Sequence, residues 1–480
     1  MYRYLIIGLS IWVIASMVSA EGPEIEWEAT FGDVDADYAY WVEVTPDSGY
    51  VIAGYAYEFE TEDTEQDMFV VRTDRDGNAI WEETYGGDKW DRATRIMVTD
   101  DGGYMLLGTT LSYSEGWYDI RMIKLGPTGQ EGWAENYGEG FEPYRANDFC
   151  RLLDGNYLVA GNSPDGIYVF KINPSGDLLN EVTIDIFVQE IERIVATADG
   201  GAMIISFGQP FALLKVDASG NRVWHKAYAG GSSGSSVIQL DDGGYAALGW
   251  REYGGLDDEF YLVRVDDTGK VIWEQHYGNQ YSDQGYCVRQ TSDGGFVMVG
   301  RMFPPSGDEW SQVWVVRTNS AGDTLWTTTF GGDGMEDGYC IQPTPDNGYI
   351  VVGFTDSYGE GVTDCYLVKL GPDPVVPTDI GDEPNSLLPD FALQQNYPNP
   401  FNPSTEIEFD LQRRSVTRLT VYNTLGQQVR KLVDGELSAG HHRITWDGTD
   451  DAGDRASTGI YFYRIETEGS VESKKMVLLR

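Results

Sequence analysis

DGGYMLLG at residues 101–108, followed by the apolar run 119–125 and the phrase GPTGQEGW ending at Trp133, is the stretch on which the fold turns, because the chain repeats it. The turn recurs as DSGYVIAG from Asp47, DGNYLVAG from Asp154, DGGAMIIS from Asp199, DGGYAALG from Asp242, DGGFVMVG from Asp293 and DNGYIVVG from Asp346, seven copies 43 to 54 residues apart. The second phrase, an apolar run and then D-x-x-G-x-x-x-W, ends at Trp81, at Trp273, and at Trp326 with Asn in the Asp place. The copies ending at Trp133 and Trp224 keep most of it, while KINPSGDLLN at 171–180 has lost the Trp. Each repeat holds four short runs of strand composition separated by Gly, Asp and Asn; in the second they are 93–99, 104–109, 119–125 and 132–137. One such sheet cannot bury both faces, so the repeats must stack, and four-stranded units of this length stacked radially make an all-β, seven-bladed propeller. An orphan strand at 27–31 and a last repeat that stops at its third strand, 365–370, predict a ring sealed by the N-terminal strand.

The composition agrees with a folded, acidic chain. Its 480 residues carry 33 basic and 77 acidic side chains, a formal charge of -44 and a pI near 4.2. That excludes a basic nucleic-acid footprint and a basic membrane patch. Gly at 58 of 480 fits many tight turns. Residues 1–20, with Arg3, an apolar 5–18 and Val18-Ser19-Ala20, read as a secretory signal peptide. No later stretch is long and apolar enough to span a bilayer, so the expected location is secreted or attached to the outer surface, reached through the periplasm. The expected division is signal peptide 1–20, propeller 21–370, acidic Pro-rich linker 371–391 and a C-terminal domain 392–480.

This geometry sorts residues by task. The DGGY and D-x-x-G turns share one face of the disc and are structural, Gly accepting positive φ and Asp bonding its own backbone. The other face carries variable, acidic and aromatic connections: YEFETEDTEQD from Tyr57, TTLSYSEGWY around Trp117, WREYGGLDDE from Trp250, RMFPPSGDEW ending at Trp310 and TDSYGEGVTD around Tyr358. Asp37, Asp91, Asp148, Asp283 and Asp337 fall near the expected channel mouth. Such a face suits stacking of sugar rings, Ca2+ ligation or a protein partner.

Catalytic patterns are scarce. His225 and His276 lie in or beside outer strands, His441 and His442 fall in the C-terminal segment, and no zinc pattern occurs. Gly230-Gly231-Ser232-Ser233-Gly234 lacks the strand-to-helix setting of a nucleophile elbow. No catalytic residue is assigned; paired carboxylates on the binding face leave a polysaccharide hydrolase or lyase as the alternative, and a structural surface protein as a third. Cys150, Cys287 and Cys340 are assigned to one repeat position on first strands and, with Cys365, are expected as free buried thiols. No cofactor is expected. Ca2+ in interblade loops such as Asp33-Val34-Asp35-Ala36-Asp37 is the one metal the acids leave open.

Residues 391–480 hold 12 acidic and 11 basic side chains, so nearly all the negative charge belongs to the first 390 residues. Alternating runs at 405–411, 416–423, 427–433, 441–446, 459–466 and 471–479 predict a small Ig-like sandwich. The segment NYPNPFNPST from Asn396, VYNTLGQQVRKL from Val421, AGHHRITWDGTDDAG from Ala439, TGIYFYRIETEG from Thr458 and KKMVLL from Lys474 resembles the type A C-terminal sorting domain of the type IX secretion system, and is similar to the Ig-like domain of flagellar hook-capping proteins. The resemblance implies export by the type IX machinery, with Gly426, Trp446, Asp447, Gly459, Lys474 and Lys475 as structural or recognition positions. The D-x-x-G-x-x-x-W phrase more weakly resembles quinoprotein propeller repeats, which implies that Trp81, Trp133, Trp224, Trp273 and Trp326 dock between blades. The expected function is a secreted or surface propeller that binds glycan or protein.

Overall fold

The computed structural model describes residues 20–374 and 391–478, apart from 59–64, 115, 139–142, 187–189, 209, 229, 232, 254–256, 280, 305–309, 395, 397, 400, 412–413, 424–426, 439 and 468–470. The signal peptide reading at 1–19, most of the linker and Gly426 therefore lie outside the described residues. Two compact units, Met1–Val376 and Pro377–Arg480, are described separately. Every regular element among the described residues is a strand, and none is a helix able to cross a membrane.

The first unit is the seven-bladed propeller. Blade 1 is Asp37–Val44, Tyr50–Glu58, Glu65–Thr73 and Ala79–Tyr85, and blade 2 is Asp91–Val98, Tyr104–Thr110, Asp119–Leu125 and Glu131–Tyr137. Blades 3 to 6 begin at Arg145–Arg151, Glu190–Ala196, Ser233–Gln239 and Gln284–Gln290. Blade 7 takes Glu336–Pro343, Tyr349–Thr355 and Asp364–Leu370 from one end of the propeller and Ile25–Phe31 from the other, paired antiparallel from Ile25 opposite Leu370 to Phe31 opposite Cys365. First strands touch the first strands of both neighbours, blade 7 touching blade 1, so they ring a central channel. Ala20–Glu21 adds a parallel strand to the outside of blade 6.

An ion pair between a largely buried base and an exposed aspartate repeats in all seven blades. The base in the third strand reaches the Asp of the DGGY-type turn: Arg72 to Asp47 at 2.6 Å, Lys124 to Asp101 at 3.0 Å, Lys171 to Asp154 at 2.7 Å, Lys215 to Asp199 at 2.9 Å, Arg264 to Asp242, Arg317 to Asp293 at 2.7 Å and Lys369 to Asp346 at 3.0 Å. The second turn glycine makes room for the base, since a Cβ on Gly49 would lie 2.4 Å from Arg72 Nη1. Asp199→Ala should strand Lys215, which is only 5% exposed, at a cost of about 2 kcal/mol. The figure is set below that of a fully buried pair because Asp199 itself is 63% exposed. Chemical denaturation checks it, and Asp199→Ala/Lys215→Met should recover most of the loss.

The second phrase docks each blade on the next. Trp81, Trp133, Trp224 and Trp273 lie against Gly129, Gly176, Gly269 and Gly322 of the following blade, where an added Cβ would come within 2.8–3.2 Å of an indole carbon. Tyr85, Tyr137, Tyr228 and Tyr277 donate from their hydroxyls to the carbonyls of the same glycines at 2.6–2.8 Å. Trp27 of the sealing strand docks in the same way on Gly77 of blade 1. Where blade 3 has lost its Trp, Asn180 Nδ2 donates to the Ser219 carbonyl at 2.7 Å. Blade 7 has no turn between its third and fourth strands, which come from opposite ends of the propeller. Trp326 packs there against Gly22 and donates to Asp373 at 2.6 Å. Asp373 also binds Arg317 and Tyr349, so the first residues after 370 are pinned to the propeller rather than free as linker.

The second unit is the Ig-like sandwich. One sheet pairs Phe391–Leu393, Thr405–Leu411 and Gly440–Trp446; the other pairs Gln428–Leu437, Ser415–Asn423, Gly459–Glu466 and Val471–Leu478. Phe391–Leu393, inside or beside the expected linker, is thus a strand. Trp446 is fully buried against Phe401 and Tyr461 and donates to the Thr449 carbonyl, while Asp447 accepts from the Thr449 amide and hydroxyl. The buried Asn396 binds Tyr463 and Thr405 and so ties the NYPNPFNP segment to the sandwich. Gly459 begins, and Lys474 and Lys475 lie within, the final hairpin.

Candidate functional site

The channel mouth is built by one irregularity used seven times. Every first strand carries a β-bulge at the same place, putting Tyr40, Thr94, Asn147, Glu192, Ser235, Tyr286 and Tyr339 in the bulged position. A bulge re-aims side chains locally without breaking the sheet. In six blades the last Gly of the repeated turn motif faces it: the carbonyl two residues ahead of the bulged residue presses on the second strand, and a Cβ would lie 1.7 Å from it at Gly54 and 1.8 Å at Gly249 and Gly353, while blade 4 accommodates Ser206 at this place.

Rings from consecutive blades meet at this level. Phe207 of blade 4, Trp250 of blade 5, Tyr286 of blade 6, Tyr339 of blade 7 and Tyr40 of blade 1 form a chain with successive centroids 5.9, 5.9, 5.1 and 4.9 Å apart. All five are half-buried. Tyr55 continues the arc from Tyr40 at 5.7 Å, and the Arg92 guanidinium covers Tyr55 at 4.6 Å and Trp90 at 5.2 Å. Beyond Arg92 lies a cavity of about 300 Å3 lined by Trp90, Arg92, Tyr118, Arg145, Asn147, Asn162 and Glu190.

Below the arc the channel is stopped. Trp41, immediately after its bulge, is 3% exposed and lies under the guanidinium groups of Arg95, Arg193 and Arg289 at 3.5, 4.3 and 5.0 Å. These come from blades 2, 4 and 6, so an indole from blade 1 that meets all three lies across the axis. Trp41 donates to Glu43 at 2.8 Å, and Arg95 pairs with Glu43 and Asp148, each at 3.5 Å. The mouth is a blind cup with an aromatic rim on one side and this pocket on the other. Glu192, half-buried among these groups, has its carboxyl pushed up to about 7, chiefly by burial.

Of the nine expected binding-face residues, the structure brings only Trp250 into the arc. Trp117, Trp310 and Tyr358 stand exposed on outer connections, Tyr358 donating to the Gly331 carbonyl at 3.0 Å. The five aspartates are buried, not displayed at the mouth. Asp37 and Asp91 begin their strands, Asp283 directly precedes one, and they accept from the backbone amides of Asp33, Gly87 and Asn279, four residues back, which folds the interblade connection. Asp148 accepts from the Ile194 amide of the next blade, and Asp337 from Ser311. Among the described residues no group of three His, Cys, Asp or Glu is arranged to hold a metal ion.

Cys150 is a further correction. It pairs with Leu158, two residues deeper than the position shared by Cys287 and Cys340, which directly follow their bulges. The spacing to the turn Asp, four residues against six, carried that signal. All four thiols are free and buried, with Cys287 and Cys340 Sγ atoms 3.9 Å apart.

The buried acids and the turn acids respond to pH in opposite senses. Burial pushes Asp37 and Asp283 up to about 7. Such groups hold protons more tightly folded than unfolded, so they oppose stability near pH 7 and above, and that opposition is relieved as pH falls towards 4. The bonds from Thr99 and Lys124 take Asp101 down to about 2; those from Thr197 and Lys215 do the same for Asp199 against its partial burial. Their contribution is complete above about pH 4 and is lost as pH falls through 2. Stability should therefore rise from pH 8 to about 5 and fall below about 3. In Asp37→Asn, which keeps an oxygen acceptor, the rise should flatten in a denaturation series across pH; an unchanged slope counts against it.

The family model of the FlgD Ig-like domain matches residues 399–470. No curated protein matches the chain. Among solved structures, the chain is similar to a protein of unknown function from Bacteroides caccae, at 14% identity and a TM-score of 0.36 over 53% of this chain and 84% of that one. It is also similar to PorZ, an essential surface component of the type IX secretion system of Porphyromonas gingivalis, at 11% identity and a TM-score of 0.31 over 96% of this chain and 75% of that one.

Proposed function

We propose that this chain is a secreted or surface-attached binding module whose propeller takes a glycan in its channel mouth, and whose Ig-like unit is the address read by the type IX secretion machinery. The arc from Phe207 to Tyr40 carries the glycan reading. Half-buried rings in a row offer surfaces on which sugars stack, and the arginine, asparagine and glutamate side chains of the adjoining pocket offer donors and acceptors for hydroxyls. The side pocket of about 300 Å3 has room for a sugar residue, whereas a stable protein interface buries about 1,600 Å2.

A glycan array on the full chain tests this reading. Trp250→Ala and Tyr286→Ala should each weaken a bound glycan by about 1–2 kcal/mol, on the order of tenfold, without unfolding the ring. Silence across the array, or binding indifferent to both substitutions, counts against a glycan at the mouth. The address is tested separately. A chain lacking residues 404–480 should remain in the periplasm, and normal surface delivery of that chain overturns the assignment.

Turnover is a second reading with one observation on its side. Glu192 is a half-buried carboxyl at the mouth with its pKa near 7, where a general acid is effective. Release of shortened products, abolished in Glu192→Gln with binding retained, would establish it; intact glycan after prolonged incubation would leave binding alone.

A further inference from the structure

The two sides of the cup differ in charge as well as in shape. In a chain of net charge -44, the repeated third-strand bases all face aspartates. Arg92, on the first strand of blade 2, is not one of these bases. It is half-buried at the pocket, its Nε donates to Gln66, its plane is covered by Tyr55 and Trp90, and among the described residues no carboxylate pairs with it. Its two terminal nitrogens remain for a ligand, in a guanidinium whose orientation is already fixed. Fixing the plane beforehand reduces the ordering cost of a bidentate contact.

The surroundings favour an anion there. Arg145 lines the same pocket and lies 5.4 Å from the Tyr118 ring, with Glu190 at 3.7 Å as its exposed counterion. Below, Arg95, Arg193 and Arg289 converge on Trp41, against Glu43 and Asp148. Glu190 and Glu192 are acids on the same side, and Asp258 and Asp337 lie beside Tyr286 on the opposite side. Asn147 and Asn162, joined by a 2.8 Å bond, supply neutral groups for hydroxyls.

We infer that the pocket between blades 2 and 3 is a subsite for a carboxylated sugar, a uronic acid residue, whose carboxylate is received by the Arg92 guanidinium while its neighbours in the chain stack along the aromatic arc. Arginine presents paired donors at the spacing of a planar carboxylate, and neutral sugars leave them unpaired. The inference rests on the glycan reading of the mouth and adds the class of glycan.

The test is titration of the full chain with an oligogalacturonate, a neutral oligosaccharide of equal length and a sulfated one, for the native chain, Arg92→Gln and Trp250→Ala. The oligogalacturonate should bind best and weaken with added salt, Arg92→Gln should cost about tenfold or more, and that substitution should leave any neutral binding unchanged. Unaltered thermal midpoints for both variants show that the ring is intact. If the neutral sugar binds equally well and Arg92→Gln changes nothing, the carboxylate subsite is wrong while the glycan reading stands. Preference for the sulfated chain likewise overturns the carboxylate. If no sugar binds and an acidic peptide does, both readings fall.

Discussion

Replacing Trp326 by alanine is expected to cost the propeller about 3–5 kcal/mol, the range for emptying a fully buried Trp site. The five other docking tryptophans, Trp27 included, rest on a turn glycine supplied by the next blade. At blade 7 that turn is missing, so Trp326 fills the seam against Gly22 and hands its indole N–H to Asp373. Truncation removes the largest side chain at this seam and leaves Asp373 short of a donor. Trp81→Ala should cost less, because Trp81 is half-exposed on its docking turn. Urea unfolding of both variants decides the matter: equal losses, or a loss below about 1 kcal/mol for Trp326, would show that the seam does not depend on this indole.

Gly54→Ala should be destabilising by about 3 kcal/mol, at or beyond the upper end for overpacking. The new methyl would sit 1.7 Å from the Tyr38 carbonyl oxygen, which is backbone of the bulged first strand and cannot rotate away. Blade 4 carries Ser206 at the matching place with its bulge kept, but at the 1.7 Å approach of blade 1 relief requires the first strand to shift, and that shift displaces Tyr40 in the arc. Two readouts should therefore move together, the denaturation midpoint and glycan binding. Gly435→Ala is the control, since nothing lies within 4 Å of its added Cβ. A stable Gly54→Ala protein with normal binding would falsify the link between bulge and mouth.

The ring was legible because its determinants are local and repeated. A turn that needs Gly or a tolerant Asn in positive φ announces itself seven times, and Ser48 and Asn347 occupy that conformation where five other copies have Gly. The orphan strand 27–31 followed from counting runs, and it pairs as counting requires. The mouth was harder to read for a physical reason. A bulge shifts the two-residue alternation by one inside a strand of seven or eight, so Tyr40, Tyr286 and Tyr339 look like ordinary strand residues. Its trace is the closing Gly of DGGYxxxG, kept in six of the seven copies, which lies against a carbonyl of the neighbouring strand rather than in the turn.

Polarity misled in both directions. Asp37 and Asp283 were placed in solvent because acids usually are, yet each folds a connection by accepting backbone amides that would otherwise be buried unpaired. The third-strand bases stood in plain view in VVR, IKL, FKI, LKV, VRV, VVR and VKL, one per repeat. Only the burial of their heads against the turn aspartates shows them as part of the turn.

The sealing strand also sets an order of events. Tyr366 bonds Glu28 across 338 residues of chain, so blade 7 cannot exist until nearly the whole propeller is available. Pairings this distant form late, since the loop must be closed before any contact rewards it. Until then the strand Asp364–Leu370 has one unsatisfied edge, a template for any extended segment that arrives first. Folding of the ring is thus a race between its own N-terminal strand and foreign ones for the open edge of blade 7.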